Sequence, residues 1–406
     1  MQLHPNYLFK EIQGTGHLLP FGQALADRNS SISLNGTGTE IVRLLADTPD
    51  PATLIQKLEE LYGIPVEEHS SFSDDIMGCL RSLQILDCIV TTQNNTASPR
   101  SSVNSEPFDF DSSAFLRPVT DCIHKQYMTI AGLTLCIQED LPFTEHFLTD
   151  FICSEAAPQQ TVVICRQIPV SSRPQTHLIA TDTFHVYRGE DFYFLNICTE
   201  AHALEVFLRH DGTYAQICYN DEPSITLREE LFQALRTVFL YLAQQHGRYM
   251  LHSASILYRG KAWLFSGPSG TGKSTHTNLW YTLLHTPRIN GDLNLLALSS
   301  DGIPVIYGTP WCGTSGICDT KKHLLGGIVL LKQSSRNSLL PLRPDQKELF
   351  VLQRLISPFW EVGQLEHALA FLEILLPHIS VFRLGCNISA DAVTTIRTGI
   401  DETYQN

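Results

Sequence analysis

The sequence predicts an α/β (α+β) protein of more than one domain, and three observations carry that expectation. The octet Gly267-Pro268-Ser269-Gly270-Thr271-Gly272-Lys273-Ser274 lies between an apolar strand-like run, 262–266, and a helix-compatible segment, 275–284. Between 127 and 219, short runs of β-branched and aromatic residues alternate with turn residues. The stretch 92–107, TQNNTASPRSSVNSEP, is polar and nearly free of large apolar groups, so it reads as a flexible linker behind a helix-rich front part. A chain of 406 residues is long enough for two or three domains. The expected divisions are 1–91, the linker 92–107, a strand-rich segment plus helix at 108–245 packed on the last domain, and 246–406.

The front part reads as short strands followed by three helices. Residues 21–34 look like a hairpin turning at Asp27-Arg28-Asn29-Ser30. Gly36-Thr37-Gly38-Thr39 leads into the helical spacing Ile41, Val42, Leu44, Leu45. Asp50 is a good N-cap and Pro51 a good first residue for a helix carrying Leu54, Ile55, Leu58 and Leu61, ended by Gly63. Ser73 is the expected cap of the third helix, with Ile76, Met77, Leu80, Leu83 and Leu86.

In the rear part, 127–137 and 161–166 read as strands. The pairs 184–187/192–197 and 203–208/214–219 flank turns at Arg188–Asp191 and Asp211-Gly212. A helix from about 227 to 245 places Leu231, Leu235, Val238, Phe239 and Leu242 on one face. Then come a strand at 250–258, a turn at Arg259-Gly260, and the strand that feeds the octet. After it, 288–292 leads into a strand at 293–298, a turn at Asp301-Gly302 and a strand at 303–307.

Composition excludes some functions. Hydrophobic residues make up 43% and charged residues 17%, an ordinary globular profile. A net charge of −14 with no Lys/Arg run argues against nucleic acid and anionic membrane as partners. No apolar run is long enough to span a bilayer. The start, MQLHPNYLFKEIQ, lacks the apolar region of a secretory signal. Eleven cysteines without a CxxC pair read as reduced, mostly buried thiols, so a cytoplasmic location is expected. Cys312, Cys318 and His323 fit no zinc spacing and lack a fourth ligand.

The octet has a definite chemistry. Its glycines let successive N–H groups point inward as an anion nest, and the following helix adds the positive end of its dipole. Gly267 to Thr275 form the nucleotide-binding set. Lys273 is placed to reach the outer phosphates and the Ser274 hydroxyl to ligate Mg²⁺. ATP with Mg²⁺ is the expected pairing; GTP and pyrophosphate stay open. The alternative, a Gly-rich turn that binds nothing, sits badly with an intact Lys-Ser pair in strand–helix context.

A lone histidine on a strand is ordinarily a core residue. His252, however, opens the stretch HSASILYRGKAWLFSGPSGTGKS, which ends at Ser274 and resembles the core of HPr kinase/phosphorylase-like proteins. In that family a histidine begins the strand before the turn, the same distance ahead of the loop. The resemblance spans roughly 246–395 and implies a fold related to phosphoenolpyruvate carboxykinase, with the loop in a sheet of mixed direction. The family's acidic pair is represented by Asp292 alone, with Gly291 or Leu293 in the other slot. Asp292 is then either the general base or a metal-linked carboxylate. His252 would orient or assist, the two facing the outer phosphates from opposite sides. The segment 307–317 occupies the place of the family's substrate loop but has no counterpart of its Mg²⁺-binding glutamate. Lys321, Lys322 and His323 read as a solvated basic turn.

The front residues 34–45, 54–62 and 76–86 resemble the PqqD family of small winged-helix domains. Many of its members recognise leader peptides of ribosomally made, modified peptides, by strand addition beside the third helix. Together the resemblances imply a Mg²⁺-dependent kinase acting on a Ser/Thr hydroxyl of a peptide or small protein recruited by the front domain, with Lys273, Asp292 and His252 as catalytic residues and Ser274 and Asp292 as metal ligands. A nucleotide-gated peptide scaffold without catalysis, a small-molecule kinase, and a winged-helix DNA-binding regulator are the alternatives; the acidic charge weighs against the last. Self-association is compatible with the sequence.

Overall fold

The computed structural model describes residues 1–28, 30–91, 122–166, 176–199 and 201–405. The linker expected at 92–107 and the start of the following segment lie outside the described residues. The chain divides into two compact units. One comprises 1–107 with the short segments 178–181 and 359–362; the other comprises 108–177, 182–358 and 363–406. The strand-rich segment after 121 and the octet-bearing part thus belong to one unit. No helix among the described residues is long and apolar enough to cross a membrane.

The first unit opens on a hairpin, Tyr7–Ile12 with Thr15–Pro20, turning at Gln13 and Gly14, both at positive φ (51° and 78°). Such a turn matches the twist of the strands it joins. The hairpin expected at 21–34 does not form. Gly22–Ala26 is a short helix, and Ile32–Ser33 adds a third strand beside Thr15–Pro20. The register of 7–12 with 15–20 uses the better turn, and only the tail of the proposed hairpin joins the sheet.

Three helices follow at Gly36–Leu45, Pro51–Tyr62 and His69–Ile85. The Asn35 side chain accepts from Gly38 N at 2.7 Å and that of Asp50 from Thr53 N at 2.9 Å, while Gly63 at φ 61° closes the second helix. Ser73 is not a cap. A 3₁₀ turn at Val66–Glu68 runs directly into the third helix, four residues earlier than Ser73. Leu18, Ile41, Leu54, Leu58, Ile76 and Leu80 are buried together as this unit's core. Gly36–Leu45 packs on Thr15–Pro20, Pro51–Tyr62 on that helix, and His69–Ile85 on Pro51–Tyr62 in turn, by apolar faces of 3.6-residue spacing.

The second unit contains two large sheets of mixed direction. In the nine-stranded sheet, Gln160–Arg166 lies between Tyr214–Tyr219 and Leu133–Glu139, parallel to both, and antiparallel hairpins extend it on either side. Ser224 caps the long helix Ile225–Gln245.

The eight-stranded sheet carries the octet. Lys261–Ser266 pairs antiparallel with Tyr249–Tyr258 and parallel with Lys322–Gln333. Both neighbours bend. Residues 249–252 pair with 293–296, whereas 253–258 pair with 261–266. Likewise 322–324 pair with 305–307, whereas 325–330 pair with 262–266. Gly326 bulges at the second bend, where the register shifts. A Cβ there would come within 2.8 Å of the Trp263 ring, and one on Gly327 within 2.7 Å of it and 2.2 Å of Ser380 O. The two glycines leave room for a buried indole between the arms of the strand.

Glu139 is buried at the end of its strand and accepts from Thr144 N at 3.1 Å. Burial pushes its carboxyl up to about 7 from the ordinary 4.5, against the pull of the Thr144 hydrogen bonds. The unfolded chain releases this proton at lower pH than the folded one, so the contribution to stability is present below 4.5 and is lost as pH rises through 7. Glu139→Gln keeps an acceptor and cannot ionise. Denaturant unfolding should show the variant gaining on the wild type with pH, by up to about 3 kcal/mol at pH 8, with the two converging near pH 4.5.

Candidate functional site

The bend in Tyr249–Tyr258 falls between His252 and Ser253 and defines the site. His252 pairs with Leu293 at the end of one arm, and Ser253 with Ser266, the last strand residue before the octet, at the start of the other. The corner is tied on both sides. His252 N donates to Arg354 O at 3.0 Å, Ser266 Oγ to His252 O at 2.7 Å, and Ser253 N to Asp292 O at 2.8 Å.

The octet follows the strand as a clasped loop. Gly270 and Gly272 have φ of 77° and 94°, which a side chain would strain. Thr271 donates twice to Pro268 O, from N at 3.2 Å and Oγ1 at 2.7 Å, and Gln333 Nε2 donates to Gly270 O at 3.1 Å. Gly267 has no room for a Cβ, which would stand 2.7 Å from Thr271 Oγ1. Lys273 is the first residue of the helix Lys273–Leu284. It is buried, and its Nζ lies 3.4 Å from Gly267 O, folded back over the loop. Ser274 and Thr275 follow in the first turn, whose N–H groups have no partner within the helix. Pro268, Ser269, Gly270 and Ser274 are exposed. On this helix Trp280 is buried and Leu279 packs at the core's edge, whereas Tyr281 and Leu283 face solvent.

Asp292 is placed by its neighbour. The buried Asn290 accepts from Asp292 N at 2.9 Å and Leu293 N at 3.0 Å, and donates to Thr309 O at 2.9 Å. This fixes the turn and sets the Asp292 carboxylate against the histidine, with His252 Nε2 3.1 Å from Asp292 Oδ1. The two do not stand on opposite sides of a ligand position, as the sequence suggested; the register of the bent strand puts them side by side. The His252 hydrogen bond holds Asp292 below the usual carboxylate range, helped by the charges of His252, Lys273 and Arg236 against the effect of burial. Burial pulls Lys273 below its ordinary value; Asp292 opposes that and Arg354 adds to it.

Arg236 and Arg354 were not singled out in the sequence. Arg354 reaches the site because its carbonyl is bound by His252 N, a long-range pairing. Arg236 had a readable signal: it is the only charged residue between Leu231 and Gln245.

The segment after Tyr307 packs onto this turn. Trp311 is buried, donating from Nε1 to Phe232 O at 3.2 Å, and Gly313–Ser315 forms a 3₁₀ turn against Gly291 and Asp292. Cys318 donates to Thr309 O at 3.0 Å, and burial pushes its thiol up to about 12. His323 pairs with Asp319 at 3.0 Å, and Lys321 and Lys322 are exposed. Among the described residues no group of three or more His, Cys, Asp or Glu is arranged to hold a metal ion.

Position 291 is sterically closed. A Cβ on Gly291 would stand 1.8 Å from Ser315 Oγ and 2.9 Å from Cys312 O, so no side chain fits at 291. Gly291→Ala should therefore displace the turn and destabilise the protein by about 1–3 kcal/mol in thermal or denaturant unfolding. Adding Ser315→Gly should recover part of that loss, since Cys312 O remains in the way. An unchanged Gly291→Ala melting temperature would contradict this packing.

No curated protein matches the chain. Residues 24–84, which include the first two capped helices and nearly all of the third, match the PqqD family, Coenzyme PQQ synthesis protein D, so the front of the chain carries a PqqD-like domain.

Proposed function

We propose that the chain is an ATP-binding, Mg²⁺-dependent kinase that transfers a phosphoryl group to a Ser/Thr hydroxyl of a peptide, one made ribosomally and recruited by the PqqD-like domain. The observation that carries this reading is the clasped Gly267–Ser274 loop, with Lys273 at the helix start and the His252–Asp292 pair beside it. The PqqD match supports a role in peptide modification and a precursor peptide as partner.

In this reading the loop N–H groups and Lys273 bind the triphosphate and balance its charge. Asp292 Oδ1 is engaged by His252, which leaves Oδ2 for the acceptor hydroxyl. A carboxylate of low basicity suffices, because a loose transition state takes the proton late. His252 fixes the carboxylate's orientation. In the alternative role, Asp292 with the Ser274 hydroxyl would make a set suited to Mg²⁺, which keeps several waters and relies on substrate phosphates. When bound there, Mg²⁺ supplies charge neutralisation between the outer phosphates.

The absence of space for a second acid at 291, and of a glutamate in 307–317, favours one rival: a nucleotide-gated peptide scaffold without catalysis. Transfer of label from γ-labelled ATP to a short peptide encoded beside this chain separates the two. Lys273→Ala should abolish transfer and weaken ATP binding. Asp292→Asn should lower the rate at least roughly a hundredfold with nucleotide affinity nearly intact. No label in any peptide, with ATP still bound, would establish the scaffold instead.

Recruitment has its own signature. Removing 1–107 should raise KM for the full precursor peptide while leaving kcat similar, because the lost contact exists equally in ground and transition states. Equal KM for the full and truncated proteins, with and without the leader, would show that the front domain does not recruit substrate.

A further inference from the structure

The geometry points to Arg236 as a further substrate-binding residue of this site, contacting the oxygens of the transferred phosphoryl group. The inference rests on the reading of the site as a phosphoryl-transfer centre and adds a residue to it.

Arg236 sits in the middle of the helix Ile225–Gln245, on the same face as Phe232 and Phe239, four residues before it and three after. Both aromatics stack on Trp311, with ring centroids 5.5 Å and 5.3 Å away, and Trp311 Nε1 bonds to Phe232 O. The helix is thereby pinned to the start of the segment that covers Asp292. Two residues beyond Trp311, a Cβ on Gly313 would touch the Asp292 Cβ at 3.1 Å. Arg236 and Asp292 therefore flank one short stretch of chain, and their charges act on each other.

Yet no carboxylate among the described residues lies within ion-pair distance of Arg236, and no hydrogen bond holds its guanidinium. A half-buried guanidinium with five N–H donors and aromatics one turn away on both sides is costly to keep without an acceptor. A structural arginine in such a place pairs with a carboxylate; this one is left for an anion that arrives. The local charge agrees. Lys273, Arg236 and Arg354 set three positive charges against the one carboxylate of Asp292.

The planar guanidinium fork suits the oxygens of a phosphoryl group in flight. In the transfer, the acceptor oxygen–phosphorus bond forms as the bond to the nucleotide's leaving oxygen breaks. The hydroxyl proton passes to Asp292, and Arg236 neither gains nor loses one.

The test uses full-length protein, with ADP and ADP–aluminium fluoride, a mimic of the transferred group, as calorimetric ligands. Arg236→Met should bind ADP within about threefold of wild type, bind ADP–aluminium fluoride at least about thirtyfold more weakly, and lose kcat by a similar factor. Arg236→Lys keeps the charge and bulk, guards against a folding defect, and should recover little of either. Folded variants with wild-type fluoride-complex affinity and kcat would overturn the inference. So would an equal loss for ADP alone, which would place Arg236 on the diphosphate. Wild-type protein that binds neither complex and transfers no phosphate would instead overturn the reading on which it rests.

Discussion

A buried set of short polar side chains holds the bent strand at the centre of the second unit, and the geometry of the site follows from it. Ser253, Ser255 and Asn294 are fully buried. Asn294 Nδ2 donates to Ser253 O at 2.6 Å and Ser253 Oγ at 3.0 Å, and Ser255 Oγ donates to Asn294 Oδ1 at 2.6 Å. Asn290 N donates to Ser255 Oγ at 3.0 Å. A strand that changes sheets must leave ladder groups unpaired at the corner, and buried groups without partners are expensive. The Ser/Asn set supplies those partners, and because each member is satisfied it favours one geometry over its neighbours. His252 stands on one side of the corner, Ser266 and the loop on the other, and Asn290 carries the same network to the Asp292 turn.

Charge is distributed unevenly around that corner. The chain as a whole is strongly acidic, with a net charge of −14, yet the surroundings of the loop gather Lys273, Arg236 and Arg354 near one carboxylate. Such a local reversal inside an acidic surface focuses a field on anions at close range and leaves the exterior repulsive to polyanions. It also fixes the state of Asp292, which stays ionised while its histidine and cationic neighbours remain.

The sequence revealed what is local. The octet, the Asp50-Pro51 helix start and the Gly63 stop were legible because their spacing alone determines the backbone, and the hairpins around Asp211-Gly212 and Arg259-Gly260 were legible for the same reason. Misreadings arose where two local patterns compete. The hairpin forms earlier, around Gln13-Gly14, leaving residues 21–34 a short helix and one strand, and helical geometry extended back through Ser73 because a 3₁₀ turn feeds it. The site was legible residue by residue but not as an arrangement. That His252 and Asp292 touch depends on a register set by a strand bend, and Arg354 enters through a carbonyl bond a hundred residues away in sequence. Gly291 was one of two places where the resemblance would put a second acid; packing against Ser315 closes it to any side chain.

The second bend has a mechanical meaning. A twelve-residue strand, Lys322–Gln333, would be about 40 Å long if straight. Its first residues brace the 304–308 strand that leads to Trp311, and its last side chain grips the loop at Gly270. Two glycines at its bend would ordinarily make a joint, but here the Trp263 ring fills the angle as a wedge. The loop and the Trp311 segment are therefore mounted on one strand, each near one of its ends.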